Sequence, residues 1–401
     1  MRILLLTHRM PFPPDRGDKI RSFNLLAYLS RRHEVYLASL LDDSRDLVHI
    51  PQVRQRVAGF VYELIGRGLR KLLCLRGLLL GSSATVTYFY SPALQRRIDA
   101  LIDSVPFDCY FCFSSPMAEY LYRSRHAANR IAGALRVMDL IDIDSHKWRQ
   151  YAAQAPFWQA WVYGLEARYL AAYERRMAQT FDQLYVVSEQ ERQLFPDATR
   201  MDKLLALSNG VDLEFFTPDF VSAGQGQLRG LSLVFTGVMD YWPNIQGITW
   251  FVERLLPRIQ HAVPDAQLYI VGSRPTADVQ KLTRSKGVNV TGYVDDVRHY
   301  IAAASVCIVP LTIARGIQNK VLEAMAMGKA VVTTAQAFEG LRAIAGEDII
   351  VADGEEDFAA AVVSLMLDVG RARDIGARAR ARTVQNYAWE KNLALLGRLG
   401  L

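Results

Sequence analysis

At 401 residues the chain is too long for one ordinary core and suits two domains of roughly 150–200 residues. With 51% apolar and 22% charged residues and no low-complexity tract, it reads as folded, which excludes a disordered chain. The net charge of +6 suits an anionic partner such as a phosphorylated small molecule or a membrane surface. Nucleic acid is not expected, because no zinc spacing, Lys/Arg-rich tract or aromatic RNA-binding signature occurs.

The opening "MRILLLTHRM" is an apolar strand without the features of a signal peptide, and no run approaches the ~20 residues of a membrane span. A cytoplasmic protein is expected, either soluble or peripheral to a membrane. "RILLLTH", "KIRSFNLLAYLSRR" and "EVYLASL" read as strand, helix and strand, the unit of a parallel doubly wound sheet. Between the first two, "PFPPDRGDKIR" places Gly17 in a loop that a substrate can approach closely, followed by Asp18, Lys19 and Arg21. The competing reading is a prolyl turn capped by Asp before a basic helix.

"GRGLRKLLCLRGLLLG" interleaves Arg67, Arg70, Lys71 and Arg76 with leucines at helical spacing. It fits either a basic element on an anionic bilayer or a core helix with solvated arginines. "FDCYFCF" is a buried strand, so Cys109 and Cys112 are expected to be structural despite their two-residue gap. Four scattered cysteines fit a reducing compartment. After the apolar run "LRVM", "DLIDIDSHKW" offers Asp139, Asp142, Asp144 and His146; a metal-clamping Asp142/Asp144 pair is weighed and discounted. A long aromatic helical stretch then spans 144–181, and "QLYVVS" is a further strand.

The Gly/Gln/Ser-containing segment Asp219 to Gly230 reads as a linker, after which the pattern restarts with "LSLVFTG", "AQLYIVG", "VNVTGYV", "VCIVPL" and "AVVTT". The expected organisation is an N-terminal domain over 1–217, a linker over 218–230 and a second domain over 231–384. A C-terminal helix over 385–401 is expected to pack back on the first domain. Both domains are α/β, and open parallel sheets bind ligands at the carboxyl ends of their strands, here across a cleft between the two.

The densest chemistry lies in "ARGIQNKVLEAMAMGKAVVTT", residues 314–334. Gly316 to Asn319 turns into the helix "KVLEAMAM", whose unpaired N–H groups and positive dipole end favour a phosphate. Arg315 and Lys320 add charge there, and Glu323, one turn inside, is placed to accept hydrogen bonds from ligand hydroxyls. The alternative is a solvated helix with a capping Asn.

"NKVLEAMAMGKAVVTT" resembles the signature of retaining GT-B glycosyltransferases of family 4. So do "PFPPDRGDKIRSFNLLAYLSRRHEV", "VVSEQE", "LSNGVDLEFFTP", "VFTGVMDYWPNIQGITWF", "VTGYVDDVRHYIAAASVCIVPL" and "NYAWEKNLALL". Within that family, "PFPPDRGDKIRSFNLL" and "DLIDIDSHKWRQYA" look like the sugar transferase of the PEP-CTERM/exosortase-A system. The resemblance implies a GT-B fold and transfer of a sugar from a nucleotide diphosphate sugar to a carbohydrate or lipid-linked acceptor in bacterial exopolysaccharide assembly. Contact with the cytoplasmic face of the inner membrane is implied, and neither metal nor cofactor.

It carries donor binding onto Gly237, Asn244, Gly272, Arg274, Gly292, Tyr293, Val294, Gly316, Ile317, Gln318, Asn319 and Glu323. Catalysis falls on Asp142, Arg315, Lys320 and Glu323, and the acceptor side on Gly17, Asp18, Lys19 and Arg21. Two positions depart from the family pattern. Arg315 stands where a Glu is frequent, and "GVMDYWPN" lacks the usual Arg and Lys after the first strand of the second domain. An epimerase or a nonenzymatic nucleotide-sugar-binding protein on the same fold are the alternatives.

Overall fold

A computed structural model describes residues 1–66, 70, 73–74, 77–196, 198–220, 228, 230–314 and 316–401. The chain forms two compact units, Met1–Ser208 with Leu393–Leu401, and Asn209–Asn392. The first holds a seven-stranded sheet of β1 (Arg2–Thr7), β2 (Glu34–Leu41), β3 (Gly59–Leu64), β4 (Cys109–Phe113), β5 (Leu135–Ile141), β6 (Gln183–Val186) and β7 (Leu204–Ala206), in the order β3-β2-β1-β4-β5-β6-β7. Every neighbouring pair is parallel. Helices on both faces bury the central strands completely, which is why β1 and β4 are apolar without alternation.

The second unit repeats the plan with β8 (Ser232–Thr236), β9 (Gln267–Val271), β10 (Val288–Gly292), β11 (Val306–Val309), β12 (Val331–Thr333) and β13 (Ile350–Val351). Their order is β10-β9-β8-β11-β12-β13, again all parallel. The connectivity reverses direction between β1 and β4 in the first sheet and between β8 and β11 in the second. Each reversal opens a crevice beyond the carboxyl ends of those strands, because the flanking helices lie on opposite faces.

The helices that matter for function are α1 (Gly17–Ser30), α2 (Pro92–Ser104), α3 (Asp144–Gln154), α4 (Phe157–Thr180), α5 (Trp242–Trp250), α6 (Asn319–Ala326), α7 (Glu355–Leu367) and α8 (Val369–Asn386). The expected single helix over 144–181 is two: Ala155 is extended before Pro156, as the residue preceding a proline favours, and α4 starts afresh. α2 packs Leu94, Ile98 and Ile102 into a core with Leu4, Leu6, Tyr110, Cys112 and Met138. Cys109 and Cys112 are buried free thiols, and burial pushes both pKa values up.

The unit boundary falls earlier than the 218–230 linker expectation. "DLEFFTP" is bound into the second unit, where the Arg298 guanidinium stacks on Phe215 at 3.6 Å and Phe220 at 4.3 Å. Arg380 donates to the carbonyls of Leu213 and Phe216. Val211 pairs with Ala388, so residues 385–392 also belong to the second unit and only Leu393–Leu401 groups with the first. That correction shortens the expected C-terminal element from 385–401 to a terminal turn. Residues 221–227 and 229 of the expected linker lie outside the described residues.

Arg21 (2% exposed) donates to Asp139 (1% exposed) at 2.8 and 3.1 Å, tying α1 to β5 inside the first unit. Breaking such a pair from one side leaves a buried charge without its partner. Arg21→Met is expected to cost about 3–5 kcal/mol in chemical denaturation, and Arg21→Met combined with Asp139→Asn to recover part of it. A loss no larger than that of an exposed arginine would contradict the buried-pair assignment.

Candidate active site

α6 buries Val321, Leu322, Ala324, Met325 and Ala326 against the second unit, which turns Lys320 and Glu323, three apart, to its other face. It begins after Gln318 with no side chain capping its first N–H groups and ends where Gly328 takes a left-handed φ of 66°. The capping Asn of the alternative reading is therefore absent: Asn319 is already inside the first turn. Its Oδ1 accepts from Asn209 at 3.1 Å, and its Nδ2 is buried without a hydrogen-bond partner.

Lys320 is held at the crevice between β8 and β11. Its Nζ donates to Asn244 Oδ1 at 2.6 Å and lies 4.3 Å from the centroid of the Phe235 ring. Asn244, near the start of α5, is fixed in turn by donating to the Val238 carbonyl at 2.9 Å. No carboxylate among the described residues forms an ion pair with Lys320, so burial lowers its pKa to about 7; Glu323, one turn on, opposes that shift. Burial likewise raises Glu323 to about 7, opposed by Lys320.

Glycines at the strand ends make room around this amine. Gly237, directly after β8, has φ 156°, and a Cβ there would come within 2.8 Å of Asn244 Nδ2 and 3.0 Å of Lys320 Nζ. Gly272, directly after β9, has φ 151°, and its Cβ would fall 1.7 Å from the Gly237 carbonyl oxygen. Its N–H donates to Gly292 at 3.1 Å, so the ends of β8, β9 and β10 are packed backbone to backbone. The exposed Tyr293 follows, with Val294 next in the chain.

Arg274 takes a left-handed φ of 56° and pairs with Asp240 at 3.3 Å. Gly316 is left-handed at 60°, its carbonyl accepts from Gln318 at 3.3 Å, and Ile317 between them is buried. Gly237, Asn244, Lys320 and Glu323 thus converge, Gly272 and Gly292 support them, and Phe235 and Asn209 join them unforeseen. An apolar strand residue and a segment 110 positions away gave no local signal. Arg315 lies outside the described residues.

The candidates of the first unit are placed differently. Gly17 is the first residue of α1 and not a loop residue, and Asp18 does not cap the helix, which follows Arg16 without a side-chain cap. Asp18 accepts from Arg9 at 2.7 Å and pairs with His8 at 3.2 Å. Lys19 (1% exposed) donates to Asp46 at 2.8 Å, and Arg21 is held by Asp139. Both expected acceptor-side cations are therefore engaged internally and hold α1 in place.

Asp142 is half-buried beyond β5, after Ile141, whose φ of 72° is unusual for a β-branched residue. Ser114, at the neighbouring end of β4, also has positive φ and donates its N–H to the Asp139 carbonyl. Asp144 accepts from Ser115 at 2.8 Å. Among the described residues, no group of three or more His, Cys, Asp or Glu side chains is arranged to hold a metal. Of the 67–80 stretch, 67–69, 71–72 and 75–76 lie outside the described residues, while Arg70 donates to the carbonyls of Tyr88 and Tyr90.

Residues 230–368, within the second unit, match the family model described as Glycosyl transferases group 1. A Klebsiella pneumoniae relative, an uncharacterized 44.6 kDa protein in cps region, is 23% identical over 172 residues, 41% of this chain and 44% of its own length. The match thus spans less than half of that relative. Sucrose-phosphate synthase from Thermosynechococcus elongatus superposes with a TM-score of 0.73 at 18% identity, covering 100% of this chain and 98% of that one. Anabaena HepE in complex with UDP gives 0.69 at 14%, covering 100% and 99%. At these identities the likeness is one of fold, and it is the GT-B fold of two Rossmann-like units.

Two expectations follow from this geometry. Gly272→Ala drives a Cβ into the Gly237 backbone and is expected to destabilise the chain by more than about 3 kcal/mol, read in chemical denaturation; a neutral effect would contradict the strand-end packing. Glu174, buried against the start of α3, accepts from the Ser145 N–H at 2.9 Å and hydroxyl at 2.5 Å, and burial raises it to about 8. The folded chain holds that proton up to about 8 while the unfolded chain releases it near 4.5. Its contribution to stability is thus full below 4.5 and fades as pH rises through 8. Thermal unfolding across this window should show a decline in the wild type that Glu174→Gln flattens; parallel profiles would contradict it.

Proposed function

We propose that the chain is a glycosyltransferase that moves a sugar from a nucleotide diphosphate sugar to a hydroxyl acceptor with retention at the anomeric carbon. The observation that carries this reading is the Lys320 amine, held by Asn244 and Phe235 beside the uncapped start of α6, inside the stretch that matches the group 1 glycosyl transferases. A half-buried amine with no carboxylate in ion-pair contact among the described residues, next to a helix start that no side chain caps, suits a diphosphate.

As the sugar–phosphate bond breaks, negative charge grows on the leaving diphosphate. Lys320 and the α6 start stabilise it, with Arg315 assigned to the same task. Glu323 accepts hydrogen bonds from ribose hydroxyls. Gly237 lets backbone approach the phosphates where a side chain would obstruct them, and Gly272 allows the strand ends to pack beside it. Asp142 is assigned to the acceptor side.

Retention rests on the resemblance to family 4. Exopolysaccharide assembly at the cytoplasmic face of the inner membrane rests on that resemblance and on the relative from a cps region. UDP is the nucleotide to try first, since the HepE structure carries it.

Lys320→Met is expected to weaken UDP binding by about tenfold or more, the effect of one charge-assisted hydrogen bond, measured by titration calorimetry. Glu323→Ala should lower transfer by about a hundredfold in a chain with unchanged circular dichroism. Near-wild-type turnover by Glu323→Ala would overturn its assignment. Tight UDP binding by the wild type with no transfer to any acceptor would favour a nucleotide-sugar-binding protein instead.

A further inference from the structure

The first unit carries an aromatic cluster that the donor chemistry does not use. At the start of α4, Phe157, Trp158 and Trp161 are 91%, 70% and 66% exposed. Three of the chain's six tryptophans fall between Trp148 and Trp161. Trp148 packs against Tyr151 and Tyr163, which stiffens the helix pair behind the exposed rings.

Two polar anchors of α4 lie beyond this segment. Glu166 accepts from Ser83, Ala84 and Thr85 at 2.6–2.9 Å, and Glu174 accepts from Ser145. The nine residues from Glu166 back to Phe157 span ~14 Å of helix. Glu166 also ties α4 to the 83–85 segment, and Leu79 and Leu80, 76% and 72% exposed, precede Ser83 by a few residues.

Basic residues predominate around these rings. From Ser145 to Leu165 the sequence contains no Asp or Glu; on α3, Lys147 pairs with Asp144 at 3.8 Å and Arg149 is exposed. Arg168, seven residues after Trp161 and therefore on the same side of α4, is exposed. Indole rings at a rigid tip, with cations one or two turns behind, match the layering of a bilayer surface: rings among the acyl boundary, guanidinium groups at the phosphates.

We propose that the tip of the α3–α4 helix pair, together with Leu79 and Leu80, docks on an anionic phospholipid surface. This deepens the inner-membrane reading by naming the surface, and it is independent of the donor site, since vesicle binding needs neither nucleotide nor turnover.

The test uses the full chain with phosphatidylglycerol-containing and pure phosphatidylcholine vesicles in flotation, with tryptophan emission and quenching by brominated acyl chains. The wild type is expected to float with the anionic vesicles, with blue-shifted, quenchable emission. The triple variant Phe157→Ser, Trp158→Ser and Trp161→Ser should lose about tenfold or more of that binding, with unchanged circular dichroism. Arg149→Gln with Arg168→Gln should weaken it and reduce its salt dependence.

Failure of the wild type to float, or equal flotation of the triple variant, overturns the proposal. So does a wild-type dimer in light scattering that the triple variant abolishes without any vesicle binding, which would assign the rings to a second copy. Loss of UDP binding in Lys320→Met with vesicle binding intact is expected, and separates this inference from the donor site.

Discussion

A half-buried amine at the strand-order reversal, with no ion-pair partner among the described residues, is the constraint around which the second unit is organised. Lys320 is fixed by a neutral amide and an aromatic face, and neither compensates its charge. A carboxylate in contact would have neutralised the site and removed its affinity for anions. Asn244 holds the amine in position and leaves its positive charge available to a ligand. The depressed pKa of about 7 is the energetic signature of that arrangement.

The rest of the crevice follows from keeping that amine accessible. The reversal of strand order between β8 and β11 leaves the carboxyl ends of the two strands uncovered, and α6 delivers Lys320 there. Gly237 and Gly272 are required for space, since side chains at either would collide with the amine, its amide partner or the neighbouring backbone. The first unit has the same topology with the opposite electrostatics. At its strand ends Lys19, Arg21 and Arg9 are matched to Asp46, Asp139, Asp18 and Asp42, so its charges build structure.

Much of this was legible in the sequence. Ten strands were readable, most of them as apolar runs buried on both faces, with β10 a half-buried edge strand read from its Val alternation. β3, β7 and β13 were not, and all three are edge strands: β3 is half-exposed, while β7 and β13 are three and two residues long. The helix of Lys320 and Glu323 and its C-terminal glycine were readable from local chemistry. The Asn244 and Phe235 contacts were not, because they join positions 76 and 85 residues from Lys320 through the sheet order. Lys19 and Arg21 misled for a related reason: a basic residue beside a turn looks solvent-facing until the carboxylates that bury it are placed.

The most direct test of the account is the proton balance of UDP binding, measured by calorimetry at about pH 8 in buffers of different ionisation enthalpy. At that pH the free Lys320 amine is largely neutral, and a diphosphate beside it would raise its pKa and charge it. The account predicts uptake approaching one proton per UDP bound, lost in Lys320→Met. Tight UDP binding with no proton uptake, or uptake unchanged by that substitution, would contradict it.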